Sequence, residues 1–212
     1  MQQNSIRFGF TARYFQLGKI SEETTDLIFV LHGYGQQARY FLRKFQALEK
    51  PENCIIAPEG LSRFYLQGFH GRVGATWMTK EDRLTDIENY ITYLNAIFDQ
   101  VTSLKTNLKI TILGFSQGAA TATRWALDNH MVSVKLVLWA GIFPPDMDFR
   151  KASFKLKERS VYYVYGTEDP FLKDDTLKEM KALSEKAGVT PIITTFEGGH
   201  DIHKDTLTQI FL

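Results

Sequence analysis

The sequence predicts an α/β fold with a mostly parallel central sheet and helices on both faces. Short apolar runs recur along the chain, which is typical of strands that are covered on both sides. Segments whose apolar residues recur at helical spacing lie between these runs. Because parallel strands need crossover connections, this alternation favours helices that link neighbouring strands.

The first predicted element is an antiparallel edge strand. Apolar and polar residues alternate over residues 6–14, which is the period of a half-buried strand. The buried strands that follow are predicted at the apolar runs 27–31, 55–57, 110–113, 136–139, 161–165 and 192–196.

Helices are predicted at 37–49, 84–104, 117–129 and 174–187, and after the last strand. The first is expected to end before Pro51, and Gly188 is expected to cap the fourth. The connections 58–80 and 141–159 are longer than crossovers need, and such loops are often functional. The aromatic residues of the first connection, within 64–78, either cover the core or bind an acyl group, and both interpretations stay open.

Composition excludes several classes of protein. The formal net charge is +1, so the chain has no excess of positive charge to hold a nucleic acid or an anionic membrane. No apolar run approaches the length of a membrane helix, and residues 1–5 lack the features of a secretory signal. The single cysteine, Cys54, cannot form an internal disulfide. We therefore expect one cytoplasmic domain over residues 1–212, with no nucleic-acid partner and no integral membrane association.

The strongest chemical signal is the segment Gly-Phe-Ser-Gln-Gly at 114–118. It follows a predicted buried strand and opens a helix, the context in which a Gly-x-Ser-x-Gly motif exposes a nucleophilic serine on a sharp turn. A serine hydroxyl attacks only when a base takes its proton, and that base needs an acid to fix its tautomer. Ser116 therefore predicts a histidine and a carboxylate at the same edge of the sheet.

Among the five histidines, His200 is the expected base. It lies in a glycine-rich loop after the last predicted strand, at the edge where Ser116 is expected. The remaining histidines have weaker contexts: His32, His70, His130 and His203. For the His32 side chain we favour hydrogen bonds to the backbone over a chemical role.

Asp169 is the expected acid, because it directly follows the predicted strand 161–165 and Pro170 makes its turn rigid. Glu168 stays a rival. Asp201 is a poor candidate, because the side chains of adjacent residues diverge. The resulting chain order of serine, aspartate and histidine is the order expected of α/β hydrolases.

Acyl transfer also needs hydrogen-bond donors for the negative charge that develops on the carbonyl oxygen. The glycine-bounded turn 31–35 follows an early strand at the same edge. We expect the backbone N–H groups of Tyr34 and Gln117 to be these donors.

The segments LHGYGQ, GFSQGAA, YGTEDP and EGGHD resemble the phospholipase/carboxylesterase family of α/β hydrolases, which includes the acyl-protein thioesterases. The resemblance extends from residue 31 to residue 201 and implies an α/β-hydrolase fold with little or no lid. It also implies no metal and no cofactor. The triad and oxyanion donors that it implies are the residues already named: Ser116, Asp169, His200, Tyr34 and Gln117.

The same resemblance implies a tryptophan, Trp77, beside the active site, and we assign Trp77, Met78 and Phe143 to substrate binding. The chain departs from the family pattern in two places, with Met78-Thr79 where Phe-Asp is usual and Tyr34 where leucine is common. These departures leave the acyl-chain preference open.

The expected function is that of a serine hydrolase, EC class 3.1, which cleaves carboxylic esters with small to medium acyl chains. Thioesters and lysolipids stay open as substrates, as does a homodimer. One alternative is a non-catalytic binding protein of the same fold that holds a small apolar ligand. A weaker alternative makes His200, Asp201 and His203 a metal cluster.

Overall fold

The computed structural model describes residues 1–128 and 135–211. The strands in these ranges are β1 (Tyr14–Leu17), β2 (Asp26–Leu31), β3 (Asn53–Pro58), β4 (Ser62–Gln67), β5 (His70–Thr76), β6 (Lys109–Phe115), β7 (Lys135–Trp139), β8 (Val161–Gly166) and β9 (Ile192–Phe196). The α-helices are α1 (Ala38–Leu42), α2 (Arg83–Thr102), α3 (Gln117–Ala126), α4 (Phe149–Leu156), α5 (Asp174–Lys186) and α6 (Lys204–Phe211). A 3₁₀ helix, Arg43–Leu48, directly follows α1.

The central sheet has the strand order β1-β3-β2-β6-β7-β8-β9. β1 pairs antiparallel with β3, whereas the other neighbouring strands of this sheet are parallel. This topology confirms the predicted, mostly parallel sheet with an antiparallel N-terminal edge. β4 and β5 form a separate antiparallel hairpin.

Helices cover both faces of the sheet, as neighbouring residues of β2 show. Phe29 belongs to one buried cluster and makes an edge contact with Trp125 of α3, with ring centroids 4.9 Å apart. Ile28 belongs to the cluster on the opposite face, together with Phe41 of α1 and Leu207 of α6. Because successive strand residues point to opposite faces, the wholly apolar run of β2 supplies both layers of the core.

The N-terminal edge strand begins later than predicted. The alternating pattern predicts a strand over residues 6–14, but β1 begins at Tyr14. Tyr14 lies opposite Pro58, the last residue of β3, so the preceding residues have no described strand beside them. Ile6 and Phe8 consequently remain 85% and 77% exposed. The prediction was wrong here because alternation alone does not supply a hydrogen-bonding partner.

The predicted helices are found with changed ends. The segment predicted as one helix over 37–49 is α1 followed by the 3₁₀ helix. The predicted end of the third helix at Asn129 lies outside the described residues, as does His130. Gly188 caps α5 as predicted: its φ is 64°, and its N–H donates to the carbonyl of Glu185.

Both long connections contain regular structure that the sequence did not predict. The first holds the β4–β5 hairpin, and the second holds α4. The described helices include none that is long and apolar enough to cross a bilayer. The loops that leave the carboxyl ends of β2, β6, β8 and β9 share one edge of the central sheet, because these four strands are parallel.

Candidate active site

Ser116 lies on a strained turn between β6 and α3. Its φ and ψ are 54° and −118°, a conformation that residues other than glycine rarely adopt. A Cβ at Gly118 would lie 2.2 Å from the carbonyl oxygen of Leu31, and a Cβ at Gly114 would lie 2.1 Å from that of Gly118. The two glycines of the motif are therefore required, because backbone meets backbone on both sides of the turn.

His200 and Asp169 meet at the neighbouring strand ends. The two side chains hydrogen-bond between His200 Nδ1 and Asp169 Oδ2 across 2.7 Å. The Asp169 side chain is fully buried, whereas that of His200 keeps 20% of its surface exposed. With Nδ1–H donating to the carboxylate, Nε2 is the unprotonated nitrogen and is the acceptor that a general base requires.

Backbone contacts join the loops that carry this pair. The N–H of Glu168 donates to the carbonyl of Gly198 across 2.9 Å, and a Cβ at Gly166 would lie 2.1 Å from the same oxygen. Asp169 is further held by the N–H of Phe171, which donates to its second carboxylate oxygen, Oδ1, across 2.9 Å. Both carboxylate oxygens therefore have a donor.

The His200 ring lies beside the turn that carries Ser116. Its centroid is 4.9 Å from that of Phe115, the residue that precedes the serine. Within the described part of the chain, no hydrogen bond joins the Ser116 hydroxyl to His200. Catalytic hydrogen bonds are often long without substrate and shorten when the reacting complex forms.

The backbone N–H of Tyr34 lies between two N–H groups that have hydrogen-bond acceptors. Gly33 donates to the side chain of Gln36 across 2.9 Å, and Gly35 donates to the carbonyl of Ala75 across 2.9 Å. The N–H of Tyr34 makes no hydrogen bond among the described residues, so it is available to a ligand. Gln117, the second predicted donor, is the first residue of α3, where the N–H has no partner within the helix.

The loop of residues 31–35, which we call the oxyanion loop after its predicted role, lies directly against Ser116. A Cβ at Gly33 would lie 3.2 Å from Cβ of Ser116 and 3.0 Å from the ring of Phe115. This close approach explains why a glycine stands at position 33. It also brings the free N–H of Tyr34 to the same edge as the N–H of Gln117 at the start of α3.

His32 has the backbone hydrogen bonds that the sequence favoured. Its Nε2 accepts the N–H of Gly60 across 2.9 Å, so its Nδ1 carries the proton and donates to the carbonyl of Gly33 across 2.8 Å. The side chain is completely buried, and this burial lowers its pKa to about 4. His32 is therefore neutral and fixes the loop that carries Tyr34.

The residues assigned to substrate binding differ in exposure. Trp77 is 2% exposed and lies beneath the oxyanion loop, where its indole N–H donates to the carbonyl of His32 across 2.8 Å. Phe143 is fully buried and packs edge-on against Tyr163. It packs in the core, and the substrate contact that we expected of it stays a prediction. Met78 is half-buried at the surface.

One aromatic residue beside the site was not assigned a role from the sequence. Phe171 is 68% exposed, and its ring meets that of His200 edge-on at 4.7 Å. The only sequence signal for it was an aromatic residue after Asp169-Pro170 at a strand end. On the β4–β5 hairpin, the ring of Phe64 lies 5.2 Å from that of Tyr34, and the Leu66 side chain lies beside Gly35.

The described residues contain no group of three histidine, cysteine or acidic side chains close enough to share a metal ion. His200 bonds to Asp169. His203 instead stacks on Phe196 and bonds to Thr206. The two histidines therefore have separate surroundings, which give no support to the metal-cluster alternative.

Residues 14–211 match the family model described as phospholipase/carboxylesterase. Comparison of the sequence with curated proteins gives no match.

The fold is similar to those of several solved hydrolases. Acyl-protein thioesterase 2 of Zea mays is 17% identical, with a TM-score of 0.70 over 94% of this chain and 96% of that one. Esterase PE8 is 20% identical, with a TM-score of 0.71 over 95% and 96%. A Bacillus cereus carboxylesterase is 18% identical, with a TM-score of 0.65 over 94% and 91%. At these identities the likeness is one of fold.

Proposed function

Because the chain belongs to the phospholipase/carboxylesterase family, we propose that it cleaves carboxylic esters through Ser116, His200 and Asp169. Membership of the family makes the chain a hydrolase of ester bonds, EC class 3.1. The proposal adds the residues that carry out the reaction and the acyl groups that it accepts.

The observation that carries the proposal is the hydrogen bond between His200 and the buried carboxylate of Asp169. It leaves the opposite ring nitrogen, Nε2, without a partner in the described part of the chain, beside the strained turn of Ser116. A neutral imidazole in this tautomer is a base, and a serine on such a turn is the nucleophile that it would activate.

In the proposed reaction, Ser116 Oγ attacks the ester carbonyl while His200 Nε2 takes the hydroxyl proton. The carbonyl oxygen becomes negatively charged and is stabilised by the N–H groups of Tyr34 and Gln117. His200 then gives its proton to the departing alcohol, which leaves an acyl-enzyme. Water attacks this ester in the same way and releases the acid, and Asp169 holds the imidazole in one tautomer throughout.

The surface around the site supports an acyl group of small to medium length. The exposed ring of Tyr34 pairs with the half-buried ring of Phe64 on the hairpin, and Leu66 extends the apolar surface. On the other side, the Phe171 ring borders the base. We place the acyl chain along the hairpin and the leaving group against Phe171, since His200 must reach the leaving oxygen. Thioesters and lysolipids share this acyl chemistry and are further candidate substrates.

We also propose a cytoplasmic location with no nucleic-acid partner. With a formal net charge of +1, the chain has no excess of positive charge that would attract a polyanion such as a nucleic acid. The single cysteine, Cys54, is fully buried, and burial raises the pKa of its thiol to about 11. The chain has no second cysteine with which Cys54 could form an internal disulfide, which fits a reducing compartment.

Hydrolysis of p-nitrophenyl esters from acetate to octanoate tests the proposed function. Wild type is expected to turn over the shorter esters, and Ser116→Ala is expected to lower kcat by about 10⁶-fold if the triad acts as a unit. The control is Ser153→Ala, which removes an exposed serine hydroxyl on α4 and should leave turnover unchanged. Near-normal turnover by Ser116→Ala would remove the serine from the mechanism, and a non-catalytic binding protein would show no turnover at all.

A further inference from the structure

We infer that one short segment, Thr76–Met78, sets the positions of both proposed oxyanion donors, with Trp77 and the Gln117 side chain as positioning residues. This inference rests on the proposed function, because it concerns the two N–H groups that would stabilise the oxyanion. The segment comprises the last residue of β5 and the two residues that follow it.

The Gln117 side chain ties the start of α3 to this segment. Its Oε1 accepts the backbone N–H of Trp77 across 3.2 Å, and its Nε2 donates to the carbonyl of Met78 across 2.9 Å. The Thr76 hydroxyl lies within hydrogen-bond distance of both atoms of the amide, at 3.1 and 3.0 Å. Because both the oxygen and the nitrogen of its side-chain amide are hydrogen-bonded, Gln117 is restricted in the direction in which its backbone N–H points.

Trp77 ties the oxyanion loop to the same segment. Its indole N–H donates to the carbonyl of His32 across 2.8 Å, and its ring lies over that of His32 with centroids 5.0 Å apart. His32 in turn bonds to the carbonyl of Gly33, the residue before Tyr34. Ala75 directly precedes the segment, and its carbonyl accepts the N–H of Gly35, the residue that follows Tyr34.

Two oxyanion donors act only when their relative position is fixed before the reaction. Tyr34 follows β2 and Gln117 begins α3, so neither element alone determines the spacing between their N–H groups. The Thr76–Met78 segment contacts both elements, and it does so through Trp77 and the Gln117 amide, which do not need to contact substrate. Trp77 is 2% exposed, which agrees with a role beneath the site.

Two substitutions separate this positioning role from contact with the acyl chain. Trp77→Phe keeps an aromatic ring but removes the N–H donor to His32. Gln117→Met keeps the side-chain length and the backbone N–H but removes the amide. Each is expected to lower kcat by about 10- to 100-fold, because loss of one oxyanion donor costs about 10²- to 10³-fold and these changes displace a donor without removing it. KM is expected to change little.

The loss should be equal for p-nitrophenyl acetate, butyrate and octanoate, since every ester develops the same oxyanion. Affinity for a trifluoromethyl ketone, whose hemiketal adduct with Ser116 carries this oxyanion, should fall by the same factor as kcat/KM. The matched control is Trp125→Phe. Trp125 is also fully buried, and its indole N–H donates to Asn95 Oδ1 across 2.8 Å, away from the oxyanion loop. The Trp125→Phe substitution should lower the melting temperature and leave kcat per titrated active site unchanged.

The inference would be overturned if Trp77→Phe and Gln117→Met both kept the kcat and the inhibitor affinity of wild type. A loss that grows or shrinks with acyl-chain length would also overturn it, because it would show that Trp77 contacts substrate. Failure of the proposed function is distinguishable, since wild type itself would then neither hydrolyse the esters nor bind the trifluoromethyl ketone.

Discussion

The imidazole of His200 and the carboxylate of Asp169 are joined by a 2.7 Å hydrogen bond, although they lie on loops after different strands. The carboxylate is fully buried and accepts a second donor, the N–H of Phe171. This arrangement fixes the plane of the imidazole and the position of its proton. The reactivity that we propose for Ser116 depends on this fixed base.

The first prediction concerns the choice between Asp169 and its sequence neighbour Glu168. Asp169→Asn should lower kcat for ester hydrolysis by about 10⁴-fold, because an amide favours the wrong tautomer of His200. Glu168→Gln is the matched control and should leave kcat near that of wild type, because Glu168 is exposed. Comparable losses in both variants, or none in Asp169→Asn, would contradict the assignment of the acid.

The second prediction concerns Phe171, whose exposed ring borders His200. Phe171→Ala should raise KM for phenyl and p-nitrophenyl esters by about tenfold. Contact between the Phe171 ring and the aryl leaving group, with the area that it buries, should stabilise binding by about 1 kcal/mol or more. Ethyl esters of the same acid should be much less affected. Phe154→Ala, at an 85% exposed phenylalanine on α4, is the control. Equal effects on aryl and ethyl esters would show that Phe171 does not contact the leaving group.

The third prediction is a pH dependence of stability that arises from His32. Burial lowers its pKa from 6.5 to about 4, against smaller opposing effects from the hydrogen bond to Gly33 and the charge of Glu59. Between these two pH values the unfolded chain binds a proton at His32 that the folded chain does not. The free energy of unfolding should therefore fall as the pH falls from about 6.5 to about 4, by about 3 kcal/mol from this residue.

Urea unfolding of wild type, His32→Gln and the exposed-site control His70→Gln between pH 7 and pH 4 measures this contribution. His32→Gln should have a shallower pH dependence, because a neutral amide can still accept the N–H of Gly60 but does not titrate. His70→Gln should follow wild type. Parallel curves for His32→Gln and wild type would show that His32 binds a proton equally in the two states.

Much of the fold follows from local sequence patterns. The strand β2 and the helix α2 are visible as an apolar run and a periodic stripe, because both elements bury side chains at regular spacing. The turn at Ser116 is visible because two close backbone approaches demand glycine at 114 and 118. Wherever packing restricts the choice of residue at a position, the sequence indicates the structure.

The remaining features depend on contacts that local patterns do not encode. The alternation over residues 6–14 predicts a strand, but β3 ends opposite Tyr14 and offers no partner before it. The hairpin of β4 and β5 lies outside the central sheet, and most of its residues are exposed, so burial leaves no clear pattern. The sequence also could not tell whether Trp77 contacts substrate or lies beneath the oxyanion loop, because local patterns do not encode such contacts.

The most direct test of the central claim is intact-protein and peptide mass spectrometry after treatment with a fluorophosphonate, which reacts with an activated serine. We predict one adduct on wild type, located at Ser116, and none on Ser116→Ala. Labelling should be strongly slowed in His200→Ala, in which the serine has no base. An unlabelled wild type, or an adduct at a residue other than Ser116, would contradict the proposed nucleophile.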